Sequence, residues 1–175
     1  TDYQNKYAMV INLDANVTST TKASVSINGN LRKHTQPAVG ERVNQGAEYI
    51  MQLFSYAHPN LPLFFSNGTY GTFVSPAILA SGYKDTDVTT IYTMIGLEQE
   101  LPFVPGLRFK SNFAFDPTTT YIKAWQLPTH VHTLDVTKDP YEYIDGVWGS
   151  ATPSLNETYR KSNQITWQGS FDYVG

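Results

Sequence analysis

From Tyr7 to Val17 an apolar side chain stands at every second residue. Tyr7, Met9, Ile11, Leu13, Ala15 and Val17 take odd positions, and Lys6, Asn12, Asp14 and Asn16 take even ones. A helix, with side chains repeating about every 3.6 residues, scatters such a pattern around its circumference; a strand sorts it onto an oily face and a wet face. The pattern resumes after the polar break Thr18–Lys22, with Ala23, Val25, Ile27, Gly29 and Leu31 against Ser24, Ser26, Asn28, Asn30 and Arg32, which predicts a hairpin. A second hairpin carries Ile91, Ile95, Leu97 and Leu101, a turn over 102–106, then Leu107, Phe109, Phe113 and Phe115, with Arg108, Lys110, Asn112 and Asp116 opposite. A last run sets Ile165, Trp167, Gly169, Phe171 and Tyr173 against Gln164, Thr166, Gln168, Ser170 and Asp172. The expectation is an all-β, antiparallel chain with strands at about 6–17, 23–34, 88–101, 107–117 and 162–174.

The connections alternate in length. Residues 18–22 and 102–106 are tight turns, whereas 35–87 and 118–161 are far longer than the usual loop of a compact domain. Short periplasmic turns and long extracellular loops are the asymmetry of a transmembrane β-barrel, and runs of about 9–11 tilted residues are long enough to cross a bilayer. A soluble antiparallel sheet with one solvated face gives the same alternation, so periodicity alone leaves both open. Within the first long segment Ala47, Ile50, Met51 and Phe54 recur at helical spacing and the run stops at His58-Pro59, which predicts a short loop helix over about 44–57.

Several classes are excluded. Charged residues are 15% of the chain, net charge is −3 and no lysine- or arginine-rich run exists, so a nucleic-acid partner has no electrostatic footprint. The absence of cysteine removes disulfides, a thiolate nucleophile and a cysteine-based zinc site together. No stretch reaches the ~18 apolar residues of a spanning helix. The first residues, Thr1 to Lys6, lack the basic and apolar start of a signal peptide; an exported chain has lost that segment, or this one begins within a longer protein.

The candidates for chemistry are few. His130-Val131-His132 puts two imidazoles on one face of an extended segment, a spacing usable for a metal, but no motif supplies a third ligand and two polar loop histidines are the simpler reading. Asp139 with Glu142, and Glu98 with Glu100, pair acids along the sequence, whereas a glycosidase needs its carboxylates at a set separation across a cleft. Glu98 and Glu100 fall on the polar strand face and read as its lining. No phosphate-binding glycine loop or Ser-His-Asp arrangement is present, so the chain is read as non-catalytic, with no cofactor and no metal. The triplets Asn16-Val17-Thr18, Asn67-Gly68-Thr69 and Asn156-Glu157-Thr158 match the glycosylation sequon and are incidental in a bacterial barrel. The candidate ligand-binding residues are the loop aromatics Trp125, Tyr141, Tyr143 and Trp148, whose flat faces among polar neighbours suit sugar or peptide; loop packing is the competing account.

Three segments carry a family resemblance: YAMVINLDANVTSTTKASVSINGNLR, YTMIGLEQELPFVPGLRFKSNFAFD with its proline-glycine turn and Gly-Leu re-entry, and TYRKSNQITWQGSFDYVG. Together they resemble barrel strands of the SusC/RagA group of TonB-dependent outer-membrane transporters. The resemblance implies a barrel of about 22 strands around a plug, which five strands cannot close. It also implies an outer-membrane location, contact with lipid and import of an oligosaccharide or peptide. The implied partners are a SusD-like surface lipoprotein acting as a lid, and the TonB complex, engaged through parts outside this stretch. The alternative function is a soluble, secreted β-sandwich carbohydrate-binding module.

Overall fold

A computed structural model describes residues 2–38, 46–57 and 59–174. In chain order the elements are β1 (Tyr3–Asn16), β2 (Thr21–Pro37), α1 (Gly46–Tyr56), α2 (Val74–Leu79), β3 (Gly82–Glu100), β4 (Leu107–Gln126), β5 (Thr129–Asp135), β6 (Glu142–Trp148) and β7 (Ser154–Tyr173). The chain is all-β with antiparallel sheets. Five strands form one open sheet in the order β1-β2-β3-β4-β7, and β5 pairs with β6 in a separate ribbon.

The tight turns are built as their residues demand. Val17 N–H donates to the Thr21 carbonyl at 2.9 Å, closing the first hairpin, and Leu101 N–H donates to the Leu107 carbonyl at 2.9 Å, closing the second. Gly106 sits at φ +85° against the Val174 carbonyl, where a side chain would have neither the backbone conformation nor the room.

The structure extends the sequence reading at the loop ends of the strands. β3 begins at Gly82, β4 continues to Gln126 and β7 begins at Ser154, so the segment expected as loop 118–161 holds strand ends and the β5–β6 ribbon. Those extensions are rich in Thr and Tyr, residues that favour strands, but they lack the strict apolar alternation that marks the runs they continue. The helix expected at 44–57 is α1; residues 44–45 and His58 lie outside the described residues. Its inward anchor is Leu53 at 3% exposure, with Ile50 packed beside it, while Met51 at 69% and Phe54 face out. The expected apolar face is therefore only partly the packed one. No described helix is long and apolar enough to cross a membrane.

Contacts divide the chain into two units. One comprises Asn5–Arg32, Asp87–Thr120 and Tyr159–Gly175 and is made of sheet and short turns. The other comprises Thr1–Gln4, Lys33–Thr86 and Tyr121–Thr158 and holds the remaining strand ends, both helices and the ribbon. The buried hydrophobic residues, Ala38, Leu53, Val74, Ala77 and Ala124, all belong to the second unit. Among the described residues, the sheet unit buries no apolar core.

Candidate ligand-binding face and loop aromatics

In the sheet unit, side chains sort by parity. The odd face carries Tyr7, Met9, Ile11 and Leu13 on β1 with Val17 just after it, Ile91, Ile95 and Leu97 on β3, Phe113 and Phe115 on β4, and Ile165, Trp167, Phe171 and Tyr173 on β7, all of them exposed. Phe109 and Phe171 meet with ring centroids 5.1 Å apart. Two polar groups on this face satisfy each other, since the Trp167 indole N–H donates to the Ser111 hydroxyl at 3.0 Å. Toward the far end of the strands the odd positions turn polar at Asn5, Asp87, Thr119 and Lys161.

The even face is polar and cross-linked. Ser26 donates to Asn12 at 2.8 Å, Arg108 reaches Glu98 at 3.6 Å and Glu100 at 3.3 Å, and Lys110 Nζ lies 2.6 Å from Asp172 Oδ2. Asp14, Lys22, Ser24, Glu98, Lys110 and Asn112 surround a shallow cavity of about 340 Å³ whose floor is Gly96. Ser24 and Asn112 lean over that glycine and occupy the space of a Cβ. Glu98 and Glu100 thus line the polar face as the alternation implied, and both are engaged by Arg108.

Not everything on this face is polar. Val10, Tyr92 and Met94 have even positions and are exposed, Tyr92 at 53%. The ladders fix their neighbours: Glu100 N–H donates to the Thr20 carbonyl and Ser24 sits over Gly96, a register that brings Asn28 beside Tyr92. Asn112 beside Gly96 and the Thr118–Thr90 hydroxyl contact at 3.5 Å bring Asp116 to its other side, where its carboxylate accepts the Thr93 N–H at 3.2 Å. Tyr92 is thus an aromatic platform flanked by an amide and a carboxylate. Alternation taken on the odd residues of β3 does not single out Tyr92; its even position does.

The second unit holds the four aromatics nominated from sequence, and they do not converge. Trp125 lies in β4, half-buried, with its backbone carbonyl against Gly82. Tyr143 hydrogen-bonds through its hydroxyl with Ser66 at 3.2 Å and meets Phe65 edge-on at 5.2 Å. Trp148 stacks on Phe73 at 5.3 Å and packs against the cluster of Leu53, Val74 and Ala77. Tyr143 and Trp148 fall on opposite faces of β6, as their odd and even positions require. Tyr141 alone is open, at 63% exposure.

The ribbon register sets His132 opposite Asp145. His130 Nδ1 lies 3.1 and 3.2 Å from the two Asp145 oxygens, and His132 Nε2 lies 3.6 Å from Oδ1, so one carboxylate serves both rings. His132 Nδ1 is buried without a partner. Among the described residues no group of three or more His, Asp or Glu is placed to hold a metal ion. In the β5–β6 connection, Thr137 donates its hydroxyl and its N–H to Asp135 Oδ1 at 2.6 and 3.0 Å, which lowers the carboxyl pKa. The hydrogen bond from Tyr121 to Glu157, at 3.0 Å, raises the phenol pKa, and burial lowers that of Lys84.

No family model, curated protein or solved structure matches this chain. The functional reading therefore rests on the geometry of the two sheet faces and on the resemblance of the strand segments.

Proposed function

We propose that this chain is a stretch of the barrel wall of a bacterial outer-membrane transporter of the TonB-dependent, SusC/RagA kind. The carrying observation is the odd-face band: on all five strands of the sheet unit it spans about nine to eleven residues and then turns polar. At about 3.4 Å per residue and a tilt near 40°, such runs cover roughly 20–26 Å of depth, close to the ~25 Å apolar band of outer-membrane barrels. A sheet face of this size exposed to water would be a large aggregation surface, whereas lipid accepts it without a second sheet.

In this reading the odd face meets lipid and the even face lines the interior. β1 and β7, the two ends of the open sheet, leave backbone groups for further strands of the same barrel to cover. The long connections lie outside the cell, where they help to capture an oligosaccharide or peptide beneath a SusD-like lipoprotein. The TonB complex acts through parts of the protein beyond this stretch. No step of the reading requires catalysis by these residues.

Fractionation of the native protein tests the proposal. Recovery with outer membranes, together with a gel mobility that changes only after boiling, is the expected result. Recovery as a detergent-free soluble monomer with a sharp cooperative melt overturns it in favour of a soluble module.

A further inference from the structure

On the even face of the sheet unit, among the described residues, two cations are paired and two that stand directly opposite each other are not. At the short-turn end Arg108 and Lys110 are neutralised by Glu98, Glu100 and Asp172. At the other end stand Lys6 on β1 and Arg32 on β2, both exposed. The register that joins Ser26 to Asn12 and lays the Met9 methyl over Gly29 brings Lys6 directly opposite Arg32. Neither side chain has an ion pair among the described residues. Like charges directly opposite on neighbouring strands destabilise a sheet, so this pair is a local cost that an anion between the two side chains relieves.

Tyr92 lies on the same face. Arg32 is one strand over and four residues along from Asn28, the residue opposite Tyr92, which at about 4.8 Å between strands and 3.4 Å per residue puts the two backbones roughly 14 Å apart. That separation suits a guanidinium and an aromatic ring acting on neighbouring units of one oligosaccharide. We infer that Lys6, Arg32 and Tyr92 form a subsite for an anionic glycan. One sugar ring stacks on Tyr92, and the carboxylate or sulfate of a neighbouring unit is held by the Arg32 fork and the Lys6 ammonium. Asn28 and Asp116, beside Tyr92, are positioned to hydrogen-bond ring hydroxyls.

The inference rests on the reading of the even face as the interior of a transport barrel, and adds the charge and class of what passes there. The test uses the intact native protein, purified in detergent from outer membranes, and calorimetric titration with a galacturonate tetrasaccharide, a chondroitin sulfate tetrasaccharide, maltotetraose and tetraglutamate. At least one anionic saccharide should bind about tenfold or more tighter than maltotetraose, with an affinity that falls as salt rises. The pair K6Q/R32Q should weaken that binding by about tenfold or more, and Tyr92→Ala comparably, while Lys161→Gln, a cation removed from the odd face, should leave it within about twofold. Maltotetraose binding as tightly as both anionic sugars, failure of both anionic sugars to bind, tighter binding of tetraglutamate, or indifference to K6Q/R32Q in a protein that is in the outer membrane overturns the subsite alone. A protein recovered outside the outer membrane overturns the transport reading, whatever it binds.

Discussion

The Lys110 ammonium lies 2.6 Å from the Asp172 carboxylate and ties β4 to β7, two strands separated in the chain by the whole β5–β6 ribbon. Both side chains are close to half exposed, so solvent screens the pair and its energy is small. Its role is to favour one register between strands that no short turn connects. Asp172→Asn should therefore destabilise the assembled protein only slightly, read from a small drop in the temperature at which gel mobility changes. A collapse of assembly would show that the pair holds the sheet rather than trimming its register.

The two faces should differ sharply in their tolerance of charge. Arginine near the middle of a lipid-facing band costs about 2–4 kcal/mol, and on a watery face far less. Ile11→Arg and Ile27→Arg should block outer-membrane assembly, while Asn12→Arg and Ser26→Arg, which sacrifice only an exposed 2.8 Å hydrogen bond, should assemble. Equal behaviour of the two sets in an assembly assay contradicts the face assignment.

Trp148 and Tyr141 are both candidates by sequence, and the structure separates them. Trp148 stacks on Phe73 over the Leu53–Val74–Ala77 cluster, so Trp148→Ala opens a gap there and should cost the second unit about 1–3 kcal/mol, seen as faster amide exchange in α1 and α2. Tyr141→Ala, at an exposed position, should leave exchange unchanged. A stability loss for Tyr141→Ala would mean that it packs rather than waits for a ligand.

The β5–β6 connection should respond to acid through Asp135. Its carboxyl is held below the ordinary value by the Thr137 hydroxyl and N–H, so ionised Asp135 stabilises the turn at pH above about 3.9, and that contribution is lost as pH falls through the lowered folded value. The Thr137 amide proton shift should titrate with a midpoint below about 3.9 and become flat in Asp135→Asn. A midpoint at or above that value removes the claim.

Orientation can be read with single cysteines, because the chain has none of its own. Cysteine replacing Asn67 or Ser150, both exposed in the long connections, should react with an impermeant maleimide on intact cells; cysteine replacing Ser19, in the turn after β1, should react only once the outer membrane is breached. The reverse pattern would turn the barrel over and take the long connections away from the ligand.

The sequence alone determined the strands of the sheet unit and which side of each is oily, because side-chain direction in a strand depends only on parity: Ile11 and Trp167 could be assigned to a face without any knowledge of their neighbours. It determined the tight turns for the same local reason, with Gly106 demanding a backbone conformation that other residues resist. Tertiary structure decided everything that depends on which strand lies beside which. It placed Tyr92 between Asn28 and Asp116, set Asp145 against both His130 and His132, and sent Tyr143 and Trp148 into packing contacts. It also chose Leu53 over Met51 as the anchor of α1 and carried β3, β4 and β7 beyond their alternating cores. Pairing register and loop packing are sums over residues far apart in the chain, and no local period encodes them.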